Sequence, residues 1–130
     1  MRRDEAYLLD ILIAARKARS FVAGISRVEF GQSDLYQSAV IRALEVMGEA
    51  ARQISASTRD AHPDIPWEQM SGMRNRLLHE YFRVNVQTVW DTVQNDLPDL
   101  IRLIEPLVPP DDEADSDSPP ADSDSPAAAE

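Results

Sequence analysis

A chain of 130 residues with a formal net charge of -10 is sized for one domain and lacks the overall positive charge of a dedicated nucleic-acid binder. It contains no cysteine, which excludes disulfides, thiolate nucleophiles and Cys-based zinc or iron–sulfur sites. The charge is uneven: eight acidic residues and no basic ones lie after residue 110, and without them 13 basic residues face 15 acidic ones, a net of -2 that leaves room for a local basic patch.

The N-terminus opens Arg2-Arg3-Asp4-Glu5, and the apolar stretch from Ala6 is interrupted at Asp10. Neither a signal peptide nor a membrane span fits, so a cytoplasmic protein with no membrane association is expected. Leu8, Ile11, Leu12, Ala15, Ala18 and Val22 recur at three- and four-residue steps, which predicts a first helix from about Asp4 to Ala23, stopped by Gly24. A short turn is expected over Ser26 to Gly31. Ser33 or Asp34 then caps a second helix reaching Ile54, with Leu35, Ala39, Val40, Leu44, Met47, Ala51 and Ile54 as its buried stripe. Gly48 in its middle costs about 1 kcal/mol against alanine and marks close helix packing.

Ser55 to Asp64 reads as a polar turn region, and Pro66 suits the first position of a third helix. Asn85 can cap a fourth, whose apolar repeat is Val86, Val89, Trp90, Val93, Leu97, Ile101, Ile104 and Leu107, with a kink expected at Pro98. The fold class is therefore all-α, a four-to-five-helix up-and-down bundle over residues 1–108. From Pro109 the chain changes character. Asp115-Ser116-Asp117-Ser118-Pro119 recurs as Asp122-Ser123-Asp124-Ser125-Pro126, and this acidic tail, 109–130, without large apolar residues, is expected to be disordered. It either solvates the protein or mimics RNA phosphates and shields a basic groove.

The densest chemistry lies in Arg74-Asn75-Arg76-Leu77-Leu78-His79-Glu80-Tyr81. Metal-free RNA cleavage needs the 2'-hydroxyl deprotonated, the leaving 5'-oxygen protonated and the phosphate charge stabilised. An imidazole, with a reference pKa of about 6.5, can act as acid or base, and a guanidinium can fork onto two phosphate oxygens. At about 100° per residue, Arg74 and Tyr81 nearly eclipse, whereas Arg74 and His79 diverge by about 140°. Arg74 and His79 would meet on one phosphate if the helix unwinds near His79 or if a second subunit contributes the missing group.

The Arg-x4-His-x-Tyr pattern, together with the flanking strings Pro66-Trp67-Glu68-Gln69-Met70-Ser71-Gly72-Met73-Arg74-Asn75 and Ala39-Val40-Ile41-Arg42-Ala43-Leu44-Glu45-Val46-Met47-Gly48-Glu49-Ala50-Ala51, resembles the HepT-like toxins among the HEPN ribonucleases, over roughly residues 4 to 107. The resemblance implies a homodimeric HEPN bundle, the toxin of a type VII toxin–antitoxin system, with RNA rather than DNA as substrate and no cofactor. It implies Arg74 and His79 as the catalytic pair and Asn75 as a supporting polar residue. It also implies a partner, a small nucleotidyltransferase antitoxin of the MntA type, that transfers AMP units to Tyr81. Two signatures would meet in a shared cleft.

Blander roles stay open beside these. Arg74, His79 and Tyr81 can cap carbonyls or pair with Glu80 or Glu68. Arg76 and Arg83 read as a solvated face, His62 as a turn residue, and Trp67 and Trp90 as core or dimer-interface anchors. Glu45, Glu49 and Arg52 fit a surface ion-pair ladder, the alternative placing Glu49 near the cleft. No metal constellation is recognisable. Two other functions fit the same residues: a non-catalytic helical binding subunit of a nucleotidyltransferase complex, or a small-molecule nucleotide binder.

Overall fold

Helix α1 (Arg2–Phe21) and helix α3 (Asp34–Gln53) lie against each other along their length, and α5 (Trp67–His79) packs on α3, so α3 is the central element of an all-α bundle. The computed structural model describes residues 2–80 and 83–109; the acidic tail beyond them, Tyr81 and Phe82 lie outside the described residues. The three-and-four spacing of α1 has the expected effect, with Leu8, Ile11, Leu12, Ala15, Ala18 and Val22 all buried. Gly24 ends the run in the left-handed region at φ +84°, a backbone conformation that glycine adopts without steric cost.

Two segments expected as turns are helical. Helix α2 (Arg27–Gln32) starts in a capping box in which Ser26 Oγ accepts from the Glu29 backbone N–H at 3.0 Å and Glu29 Oε1 accepts from the Ser26 N–H at 2.8 Å. Helix α4 (Ala56–Ala61) is capped by Ser55 Oγ, which accepts from Thr58 N at 3.3 Å, without the reciprocal half of a capping box. Short helices of this kind gain from caps and tertiary burial what their length cannot supply. Phe30 of α2 is fully buried against Trp90, with ring centroids 5.3 Å apart.

Leu35 corrects the expected stripe: it is 76% exposed. Helix α2 folds back on the opposite face of α3, where Gln37 Nε2 donates to the Phe30 and Gly31 carbonyls, and two residues along a helix turn Leu35 away from that contact. Ala39 is only partly buried, while Val40, Leu44, Met47, Ala51 and Ile54 are buried as expected.

The last helical stretch is divided rather than simply kinked. Helix α6 (Val86–Asp91), capped by Asn85 Oδ1, runs into a π-helical turn over Thr92–Asp96, then α7 (Leu97–Ile104) and a 3-10 turn, Glu105–Leu107. Pro98 explains the widening, because its ring crowds the carbonyl four residues back, at Gln94, and it has no N–H to donate there. Arg19 of α1 covers the loosened turn, donating to the Val93 carbonyl at 3.3 Å and Gln94 Oε1 at 2.9 Å. With α2 and α4 added and the fourth helix split, the described residues hold seven α-helical segments where four to five were expected.

At the other end of α1, Asp4 is only 3% exposed. Its carboxylate accepts from Ser55 N at 3.1 Å, Ser55 Oγ at 2.6 Å and the Thr58 hydroxyl, which ties the start of α1 to the α3–α4 corner. Burial pushes this carboxyl up, but the hydrogen bonds from Ser55 and Thr58 together outweigh it and hold Asp4 below its ordinary range.

Candidate active site

Helix α5 is anchored at its start by Trp67, buried, whose indole N–H donates to the His62 carbonyl at 3.0 Å. His62 is thus the cap residue closing α4. One turn on, α5 crosses α3 over Gly48. A Cβ at Gly48 would stand 2.6 Å from the Met70 carbonyl oxygen and nearer still to the Arg74 Cβ, so only glycine permits this approach. The stem of Arg74 therefore lies directly on α3.

From there the guanidinium reaches along α3 to Glu49. Arg74 Nε is 3.1 Å from Glu49 Oε1, and Arg74 Nη1 donates to Asn75 Oδ1 at 2.8 Å. Glu49 is held in turn by Arg52 Nε at 3.3 Å and, through its other oxygen, by Gln53 Nε2 at 3.0 Å. The Gln53 hydrogen bond does most to keep the Glu49 carboxyl below its ordinary range; burial opposes it, and Arg52 and Arg74 add to it. The ladder read along α3 exists in part, with Glu49 on Arg52 and Glu45 on Arg42 at 3.6 Å, but Glu49 also belongs to the cleft.

A cavity of about 550 Å³ opens here, lined by Arg74 and Leu78 of α5, by Arg42, Glu45, Glu49, Arg52 and Gln53 of α3, and by Tyr7 and Asp10 of α1. Three guanidiniums and three carboxylates face it. Such a surface can bind a phosphate only at particular points, because the carboxylates cancel the broad field. Tyr7, Asp10, Arg42 and Gln53 were not singled out from sequence. The cavity gathers them from two helices far apart in the chain, and no local pattern marks them.

His79 is exposed and does not line this cavity. Helix α5 stays regular through His79, with Glu80 as its C-terminal cap, so it does not unwind ahead of the histidine. Within one chain Arg74 and His79 keep the divergence of about 140° that helical geometry dictates. Tyr81 lies outside the described residues. Trp67 and Trp90 are both buried in the core of the chain. Arg76, Arg83 and Asn85 border a separate groove of about 230 Å³ with Glu80. Among the described residues no three or more His, Asp or Glu side chains gather as a metal site, and no helix is long and apolar enough to cross a membrane.

The family model of the HepT-like ribonucleases matches residues 11–107. The chain belongs to the HepT-like ribonuclease family. A Thermococcus cleftensis protein named "Probable ribonuclease HepT" is 41% identical over 106 residues, 82% of this chain and 96% of that protein. A Methanocaldococcus jannaschii protein named "Putative RNase" is 39% identical over 105 residues, 80% of this chain and 96% of that protein. A Caldanaerobacter subterraneus protein of the same description is 32% identical over 108 residues, 83% of this chain and 96% of that protein. No solved structure matches. The HepT-like match ends at Leu107, short of the acidic tail, and includes α3 and α5 with Glu49, Arg74 and His79.

Proposed function

We propose that this HepT-like protein is a metal-independent endoribonuclease that works as a homodimer and serves as the toxin of a nucleotidyltransferase-paired system. The ribose 2'-hydroxyl attacks the adjacent phosphorus, the bond to the 5'-oxygen breaks, and a 2',3'-cyclic phosphate and a 5'-hydroxyl end result. Arg74 binds the phosphate through two oxygens and stabilises its added charge. His79 moves the proton, as base toward the 2'-hydroxyl or as acid toward the leaving 5'-oxygen. Asn75, bonded to Arg74 Nη1, supports the guanidinium.

The observation that carries this reading is an arginine fixed at a helix crossing beside an open cavity, with a histidine exposed at the last residue of the same helix. The divergence of the two side chains favours a site completed by a second copy. Leu9 and Ile13 of α1, Val46 of α3 and Leu78 of α5 are exposed apolar residues, and Val46 and Leu78 line the Arg74 cavity itself, which supports a self-association surface there.

The regulatory half of the proposal is AMP transfer to the Tyr81 hydroxyl by an MntA-type nucleotidyltransferase antitoxin. The test of the nuclease is cleavage of mixed RNA in excess EDTA by wild type, Arg74→Ala and His79→Ala, each confirmed as folded. Cutting by wild type alone is expected. Equal cutting by all three, or none by any, would replace the nuclease with a non-catalytic binding subunit.

A further inference from the structure

A guanidinium stabilises the charge that builds on a phosphate under attack best when its orientation is already set, since an arginine turned the wrong way in the bound complex does nothing for the reacting atoms. Arg74 has two acceptors in place, on different nitrogens of the planar group. Glu49 Oε1 lies at Nε, 3.1 Å away, and Asn75 Oδ1 lies at Nη1, 2.8 Å away. Both Nη2 hydrogens and the second Nη1 hydrogen are left to donate, and one N–H from each nitrogen can serve two phosphate oxygens.

Glu49 has partners on both of its oxygens. One oxygen serves Arg74 and Arg52, the other accepts from Gln53 at 3.0 Å, and the residue next to it, Gly48, fixes the approach of the two helices. A carboxylate beside a phosphate site lowers affinity for an anion. Its placement on the Nε edge instead of the outer edge limits that penalty and leaves orientation as its main effect.

We propose that Glu49 is a positioning residue, which with Asn75 turns the outer edge of the Arg74 guanidinium toward the phosphate under attack. The catalytic part of this rests on the nuclease reading above; the geometric part does not. Gln53 buttresses Glu49 from the next turn of α3 and belongs to the same device.

The test has two arms on the full chain. In the first, the Arg74 Nε–H resonance is assigned by its loss in Arg74→Lys and followed by nitrogen-15 NMR. Glu49→Ala is expected to move it to the position of solvent-exposed arginines; an unchanged resonance overturns the proposal whatever the protein does to RNA. In the second arm, Glu49→Ala is expected to bind a non-cleavable 2'-O-methyl RNA at least as tightly as wild type, because a nearby anion is gone, yet to cleave RNA about 10- to 100-fold more slowly. Partial unfolding would weaken binding as well, so the split separates positioning from a structural defect. Glu49→Gln, which keeps an oxygen acceptor, is expected within about threefold of wild type. Cleavage by Glu49→Ala at the wild-type rate, or a loss in Glu49→Gln as deep as in Glu49→Ala, overturns positioning by hydrogen bonding. Wild type that fails to cut would remove the nuclease reading and leave the resonance to decide the geometry.

Discussion

Gly48 and Arg74 are in direct contact across the α3–α5 crossing, close enough that a Cβ on the glycine would overlap the Arg74 stem and come within 2.6 Å of the Met70 carbonyl. Gly48→Ala would gain about 1 kcal/mol of helix propensity. Overpacking against backbone costs about 1–3 kcal/mol, which outweighs that gain, and the cheapest relief is to slide α5 outward with Arg74 on it. A lower midpoint in urea and weaker RNA cleavage are expected together. A variant with wild-type midpoint and activity would show that the crossing is looser than this.

Asp4 gives a stability prediction with a defined pH dependence. Its carboxyl is held below its ordinary range, so the stabilisation is fully present above the unfolded-state pKa of about 3.9 and is lost as pH falls through the folded-state value. Asp4→Asn turns an amide N–H toward donors and should lose about 1–3 kcal/mol at neutral pH. The gap from wild type should narrow as both are acidified below about pH 4. A gap that persists unchanged to pH 2 in urea titrations would deny the ionised carboxylate this role.

Burial and surface pairing can be compared on α2 alone. Arg27 reaches Gln87 and Asp91 at 2.6 Å each, but its side chain is 51% exposed, and such pairs contribute about 0–1 kcal/mol. Phe30, fully buried on Trp90, should cost about 3–5 kcal/mol when cut to alanine. Urea denaturation of Arg27→Ala and Phe30→Ala should therefore rank them far apart, and similar losses would mean that α2 is held by its charges.

These contrasts mark where the sequence is readable. The stripe of α1, the Ser33 and Asn85 caps and the close packing at Gly48 are local patterns, and each has its structural counterpart. The Ser26–Glu29 capping box was equally local, and reading it would have turned the expected turn into α2. Leu35 was not readable, since its exposure depends on which side α2 folds back. Arg74 and Asn75 stand out in sequence by residue type. The pairing of Arg74 with Glu49, 25 positions earlier, depends on a helix crossing that no periodicity encodes.

Tyr81 directly follows the Glu80 cap of α5. On the proposed reading, an AMP unit on its hydroxyl adds a phosphate's negative charge that competes with RNA for Arg74 both by bulk and by charge. Incubation with a cognate nucleotidyltransferase and ATP should raise the intact mass in AMP steps and suppress cleavage in parallel. Tyr81→Phe should stay unmodified and active under the same treatment; an adduct on that variant would place the modification elsewhere.

The separation of Arg74 and His79 on one regular helix leads to a complementation test. If each active site takes its arginine from one subunit and its histidine from the other, an Arg74→Ala subunit paired with a His79→Ala subunit has one site lacking both groups and one site intact. Neither homodimer has an intact site. Mixing the two inactive variants and allowing exchange should then recover about a quarter of wild-type activity, since half the dimers are mixed and each has one of two sites. A site built within one chain gives no recovery, because every site then lacks one group. Subunit exchange must be verified by labelling, after which an inactive mixture would exclude the shared cleft with one histidine per site and require either a site within one chain or one that uses both histidines.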